Sequence, residues 1–143
     1  MTAQGGDILA WLETAITRRE ETARTVGYGR IETGEYLWVS RYLILLDGPN
    51  GESKVTTEMP AELAEHIAAN DPESVLRRCA ADRKLLELHG GRGHGCPAYD
   101  YDGDLDEFAR FYNHEACPVV QHLAESYGWT AGQTPPTEGD QVT

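Results

Sequence analysis

The spacing of hydrophobic residues predicts two long amphipathic helices. Apolar side chains recur at steps of three and four residues over residues 7–25 and again over residues 72–89, as on one face of a helix. Asp7 and Asp71 are the predicted N-caps, because a short carboxylate can accept a hydrogen bond from a free amide of the first turn. Gly27 is the predicted stop of the first helix.

The segment between these helices has a different pattern, which predicts a β-hairpin. Residues 36–46 are rich in aromatic and branched side chains, residues 47–51 form a dense turn signal, and residues 54–58 provide a return strand. A third short strand near residues 30–32 is compatible with this pattern. Because two strands alone are marginally stable in water, we expect one face of the hairpin to pack on the helices.

Shorter helices are predicted on either side of the second long helix. Pro60 occupies the expected first position of a helix over residues 61–69, and Pro118 opens a last helix that extends to Tyr127. The glycine-rich residues 90–95 are interpreted as a flexible connector.

A further helix is predicted to start at Asp104. Asp104 and Glu107 have the spacing of a capping box, and an apolar side follows, made of Leu105, Phe108, Phe111 and Tyr112. The prediction is therefore an α+β fold, a mainly helical single domain over residues 1–129. It has an N-terminal helix, a central β-hairpin and three to four C-terminal helices, followed by a flexible acidic tail over residues 130–143.

Composition and charge narrow the function classes. The 143 residues carry a formal charge of −12, which argues against direct binding of nucleic acid or of an anionic membrane but permits binding to a basic protein surface. No apolar run approaches the length of about 18 residues that suggests a membrane-spanning helix, and the N-terminus lacks the features of a secretory signal. Three cysteines are an odd number, so we expect reduced thiols and a cytoplasmic location.

Histidines and cysteines in the C-terminal half form the strongest candidate site. The pattern is His-x4-His-x-Cys, then twenty residues, then Cys-x4-His, and it consists of His89, His94, Cys96, Cys117 and His122. Imidazole and thiolate are the ligands that Zn²⁺ prefers, and four of them make a closed structural site. The predicted metal ligands are His89, His94, Cys96 and Cys117. Cys79 lies on the apolar side of its helix and is interpreted as core packing.

An interpretation without a metal stays open for these histidines and cysteines. The spacing matches no standard zinc-finger signature, so the alternative is that Cys96 and Cys117 are small buried thiols and the histidines polar loop residues.

The alternating carboxylates of residues 100–106 suggest a calcium-binding loop of the EF-hand type. Counted from Asp100, however, position 6 holds Leu105 instead of glycine and position 12 holds Phe111 instead of glutamate. A solvated acidic turn that caps a helix is the preferred interpretation.

No pattern of a catalytic or cofactor-binding residue was found. The chain has no Gly-x-Ser-x-Gly motif, and the glycines of residues 90–95 lack the preceding strand and following helix of a phosphate-binding loop. The only cofactor that the sequence suggests is a structural zinc ion.

One stretch of the sequence resembles a known family. Residues 66–77 have the pattern His-Ile-Ala-x-x-Asp-Pro-x-x-Val-Leu-Arg, the helix that follows ends in Leu88-His89, and Cys117-Pro118 opens a C-terminal helix. These features resemble a small family of uncharacterised proteins of actinobacteria and their phages, catalogued as a domain of unknown function. The resemblance implies a context but no activity.

Two functions are carried forward from the sequence. The first is a non-catalytic phage or prophage accessory protein in the host cytoplasm, which binds a host or phage protein through its acidic surface. A basic nucleic-acid-binding factor is the sharper form of that partner. The alternative is a zinc-dependent enzyme or a metal-stabilised factor built on the Cys/His cluster, with Asp100 or Asp102 as the base of an enzyme.

Overall fold

The computed structural model of the chain describes residues 5–26, 30–35, 42–48 and 51–131. Helices and strands are mixed along these residues, which confirms the predicted α+β class. The elements are α1 (Gly5–Thr25), β1 (Arg30–Glu35), β2 (Tyr42–Gly48), β3 (Gly51–Met59), α2 (Ala61–Ala69), α3 (Pro72–His89), β4 (His94–Tyr99), β5 (Leu105–Phe111) and α4 (Pro118–Ser126).

The chain divides into two compact units, which are described separately. Arg18–Ala80 form the first, here called the sheet unit, and Met1–Thr17 together with Ala81–Thr143 form the second, here called the hairpin unit. The boundaries of the predicted domain, residues 1–129, and of the predicted tail stay predictions.

A three-stranded antiparallel sheet of order β1-β2-β3 occupies the sheet unit. The predicted hairpin corresponds to β2 and β3, whose last pair is Gly48 with Gly51, and the third strand expected near residues 30–32 is β1. Ala23, Ala64 and Cys79 are buried in this unit. The predicted positions 36–41 and 49–50 lie outside the described residues.

Helix boundaries in the sheet unit follow local signals. Helix α3 begins where it was predicted, and Asp71 caps it, because its Oδ1 accepts the backbone N–H of Ser74 at 2.7 Å. Helix α2 also has the predicted bounds, but Pro60 precedes it as the N-cap with an extended ψ of 147° and is not its first helical residue.

In the hairpin unit, strands β4 and β5 form a two-stranded antiparallel sheet. The buried residues of this unit come from the start of α1, from β4 and from the region of α4; they are Ile8, Trp11, Leu12, Ile16, Cys96, Cys117, Val120 and Ala124. The expectation that Asp7 is an N-cap is wrong, since α1 already begins at Gly5 and Asp7 lies in its first turn.

The prediction of a helix that starts at Asp104 is wrong, because residues 105–111 form strand β5. Asp100 accepts the backbone N–H groups of Asp102 and Asp104 through Oδ1, both at 2.9 Å, so Asp104 is part of a hairpin turn and caps no helix. The expectation of a flexible connector over residues 90–95 is wrong for its last two residues, since His94 and Gly95 pair with β5.

Two further sequence predictions lie outside the described residues. Gly27, the predicted stop of α1, is one of them, and residues 132–143 of the predicted tail are the other.

Candidate metal centre

Three elements place four candidate ligands at one point of the hairpin unit. His89 is the last residue of α3, His94 and Cys96 lie two positions apart in β4, and Cys117 is the N-cap of α4. Residues two apart in a strand point to the same face, so His94 and Cys96 share a face of the hairpin. Gly91, with a φ of +68°, supplies the left-handed residue that ends α3 and lets the chain return.

The ligand atoms lie close together, and those around His89 are spaced as a tetrahedral zinc ion would require. The Nδ1 of His89 is 3.3 Å from the Nε2 of His94, 3.8 Å from the Sγ of Cys96 and 3.6 Å from the Sγ of Cys117. All four ligand atoms lie within 4.8 Å of one another. Zinc–nitrogen and zinc–sulfur bonds at tetrahedral angles place ligand atoms about 3.3–3.8 Å apart, and the three separations from the Nδ1 of His89 fall in that range.

Hydrogen bonding alone does not account for this arrangement. The Nδ1 of an imidazole has either one proton or one lone pair, so it makes one good hydrogen bond in the ring plane. Around His89, however, three ligand atoms converge on that single nitrogen. A cation at the centre would interact with all four atoms at once.

Backbone groups hold two of the ligands in orientation. The Nδ1–H of His94 donates to the carbonyl oxygen of Arg92 at 2.7 Å, which leaves the Nε2 lone pair directed at the cluster. The backbone N–H of Val119, in the first turn of α4, donates to the thiol of Cys96. Both contacts are of the kind that fixes the tautomer or the charge of a metal ligand.

Packing restricts the site further. Cys96 is 2 % exposed and Cys117 is fully buried, while the two histidines are half-buried. The ring of His94 stacks on Phe111, its cross-strand partner, with the ring centroids 5.9 Å apart. Two buried sulfur atoms and a stacked aromatic ring therefore line the site.

Burial changes the pKa of two ligands. Burial, together with the charge of the neighbouring His94, lowers the pKa of His89, so this ring is neutral and able to bind a metal at neutral pH. Burial and the adjacent Cys117 raise the pKa of the Cys96 thiol, and the N–H of Val119 offsets part of that effect. A divalent cation would favour the thiolate form of both cysteines.

The other candidate residues lie elsewhere. His122 is exposed, and its Nδ1 lies 3.2 Å from a carboxylate oxygen of Glu125. Cys79 is fully buried in the sheet unit, as expected of a packing residue. Asp100, considered above for calcium or as a base, is used by the hairpin turn.

Sequence reasoning did not find the groups that support the ligands. The carbonyl of Arg92, the amide of Val119 and the ring of Phe111 contact the cluster without belonging to its motif. The Cys117-Pro118 pair was a usable signal for Val119, because a proline at the first helical position places the next amide at a helix N-terminus.

Comparison with known proteins identifies the family. The chain belongs to a family of unknown function, DUF6221, whose profile matches residues 5–128. No curated protein and no solved structure matches the chain. Among the described residues, no helix has the length and apolar character needed to cross a membrane.

Proposed function

We propose that His89, His94, Cys96 and Cys117 bind one structural zinc ion that stabilises a small, non-catalytic binding protein. The observation that supports this most directly is the agreement between the ligand-atom separations of 3.3, 3.6 and 3.8 Å and tetrahedral zinc geometry. Two thiolates and two neutral imidazoles also balance the charge of Zn²⁺, so the buried complex carries no net charge.

The ligand set favours a structural site over a catalytic one. Catalytic zinc keeps a position open for water or substrate, whereas four protein ligands fill the tetrahedron. The group of potential ligands found among the described residues contains no Asp or Glu. The alternative of a zinc-dependent enzyme therefore has less support than a metal-stabilised factor.

The binding role is the second half of the proposal. A metal that links α3, β4 and α4 would stabilise a scaffold, and such a scaffold acts through the surfaces that it presents. The partner that we propose is a host or phage protein with a basic surface, and the compartment is the cytoplasm, where cysteine thiols stay reduced.

Metal analysis of the purified full chain tests the zinc site. Protein purified without added metal should retain about one zinc ion per chain, as measured by elemental mass spectrometry. Removal of the zinc with a chelator should lower Tm. Replacement of the metal by Co²⁺ should give the visible absorption bands of tetrahedral thiolate coordination. Metal-free protein whose Tm is unchanged by a chelator would contradict the proposal.

Variants assign the ligands. Cys117→Ser and His94→Asn should each lower the zinc content and Tm, because each removes one of four ligands. The matched controls are Cys79→Ser, a buried cysteine of the sheet unit, and His122→Asn, an exposed histidine on α4. Both controls should retain zinc; if His122→Asn loses it while His94→Asn does not, the ligand set is wrong.

A further inference from the structure

The end of the β4–β5 hairpin that carries the turn is exposed to solvent. Residues 99–108, here called the distal hairpin surface, are all exposed. They include Tyr99 at 77 % and Phe108 at 82 % exposure, and Tyr99 lies opposite Leu105 in the register of the two strands. Cross-strand partners share a face, so the side chains of Tyr99 and Leu105 lie together on one face of the hairpin.

This exposure is selective within one strand. Phe108 and Phe111 are the only two phenylalanines of the chain, and both lie in β5. Phe111 is half-buried and stacks on His94, whereas Phe108 projects into solvent. Tyr99, Leu105 and Phe108 are thus three large apolar side chains exposed on one hairpin end, and clustered apolar surface marks an interaction site more often than single exposed residues do.

Charge determines what kind of partner fits. Five carboxylates are interleaved with the apolar side chains of the distal hairpin surface: Asp100, Asp102, Asp104, Asp106 and Glu107. None of the ion pairs found among the described residues involves them. A second copy of the chain, with its own charge of −12, would be repelled, and nucleic acid would be repelled for the same reason.

We propose that the distal hairpin surface docks a Lys- and Arg-rich segment of a partner protein. This inference rests on the binding role proposed above, and it locates that role and names the chemistry of the partner. The carboxylates attract the cationic groups and set the association rate, while the exposed rings of Tyr99 and Phe108 accept the cations on their faces and cover the apolar stems of Lys and Arg.

A peptide titration tests the proposal with the full, zinc-loaded chain. The probe is a short fluorescein-labelled peptide of alternating Arg and Leu, and the comparison probe alternates Glu and Leu. The basic probe should bind, its Kd should rise with salt, and its NMR shift changes should fall on residues 99–108. Shift changes centred elsewhere, or equal binding of the acidic probe, would overturn the proposal.

Paired variants separate the docking surface from general acidity. Phe108→Ser should raise Kd about tenfold, and Asp102→Asn with Asp104→Asn should raise it several-fold and weaken its salt dependence. The matched controls lie on α2 of the sheet unit: Leu63→Ser for the exposed apolar residue, and Glu62→Gln with Glu65→Gln for the two charges. Controls that weaken binding as much as the hairpin variants would overturn the proposal.

Zinc content measured on every sample keeps the two proposals distinguishable. Metal-free protein that binds the basic probe through residues 99–108 would contradict the zinc site and support the docking surface. Zinc-loaded protein that fails to bind the probe would overturn the docking surface while the zinc site stands.

Discussion

The carboxylate of Asp71 satisfies two backbone amides that belong to different elements. Its Oδ1 accepts the N–H of Ser74 at 2.7 Å, and its Oδ2 accepts the N–H of Ile31 at 3.1 Å. The residue is 5 % exposed, so water does not readily replace either bond. A single side chain thereby caps α3 and holds the start of β1 within the sheet unit.

Removal of this carboxylate should destabilise the sheet unit. Asp71→Ala leaves the N-cap without an acceptor and the N–H of Ile31 without its partner, so the free energy of unfolding should fall by about 1–2 kcal/mol or more. Urea unfolding measures the change. The free energy of unfolding should fall less in Asp71→Asn, which keeps an oxygen acceptor, and should change little in the exposed Glu73→Gln. An equal loss in Asp71→Asn and Asp71→Ala would show that hydrogen bonding at this position is not the cause.

Asp71 should also make the free energy of unfolding depend on pH. Burial alone would raise the pKa of Asp71, but the hydrogen bonds from Ile31 and Ser74 outweigh it and lower the pKa below the ordinary value of 3.8. A lowered pKa in the folded state means that the charged carboxylate stabilises the fold above pH 3.8 and that this contribution is lost as pH falls through the lower folded value. NMR titration of Asp71 measures this pKa, and a value above 3.8 would contradict the assignment.

At the scale of elements, the β4–β5 turn depends on one glycine. Gly103 has a φ of +85°, a region that other residues adopt at a cost, and no atom lies within 4 Å of the position of an added Cβ. Gly103→Ala should therefore destabilise the hairpin by about 1–2 kcal/mol through backbone strain alone.

The control for Gly103 lies in the same hairpin. An added Cβ at Gly95 would have Phe108 O as its nearest neighbour at an ordinary 3.9 Å, and the φ of Gly95 is not positive. Gly95→Ala should therefore leave the hairpin close to its original stability. Hydrogen exchange of the amides of β4 and β5 compares the two variants; equal protection in both would mean that the turn does not need a left-handed residue.

Local signals explain which elements the sequence predicts and which it does not. The bounds of α2 and α3 follow from Pro60, the Asp71-Pro72 pair and the Gly90-Gly91 pair, all of which act within a few residues. The apolar steps of residues 104–112 fit a helix as well as a strand, and only pairing with β4 decides between them. The Asp100-x-x-Gly103 pattern, typical of a three-residue hairpin loop that ends in a left-handed glycine, was the signal for the strand.

The candidate site was predictable for a related reason. Ligand chemistry is a property of single residues, so the residue types suggest a metal site before any fold is known, although their spacing matches no standard zinc signature. Convergence of Cys96 and Cys117 depends on β4, on the return through β5 and on the start of α4, and the sequence prediction had replaced β5 by a helix. His94 belongs to the group and His122 does not, since the Nε2 of His94 lies 3.3 Å from the Nδ1 of His89, whereas the ring of His122 lies beside Glu125.

At the scale of the whole molecule, the candidate metal centre belongs to one unit. All four ligands lie between His89 and Cys117, within the hairpin unit, whose two-stranded sheet would be marginal on its own. The sheet unit has a three-stranded sheet and its own buried residues, and none of the four ligands comes from it. The contribution of a bound metal to folding should therefore be unequal between the two units.

Hydrogen exchange before and after chelation should detect this inequality. Because binding free energy at a structural site is folding free energy, removal of zinc should lower the protection of amides in β4, β5 and α4. Amides of β1, β2 and β3 should keep most of their protection. Cys117→Ser is the control, since its exchange should already resemble that of the chelated protein and should not respond further to the chelator. A uniform loss of protection across both units would contradict a local effect, and no loss in β4 and β5 would contradict a metal that stabilises the hairpin unit.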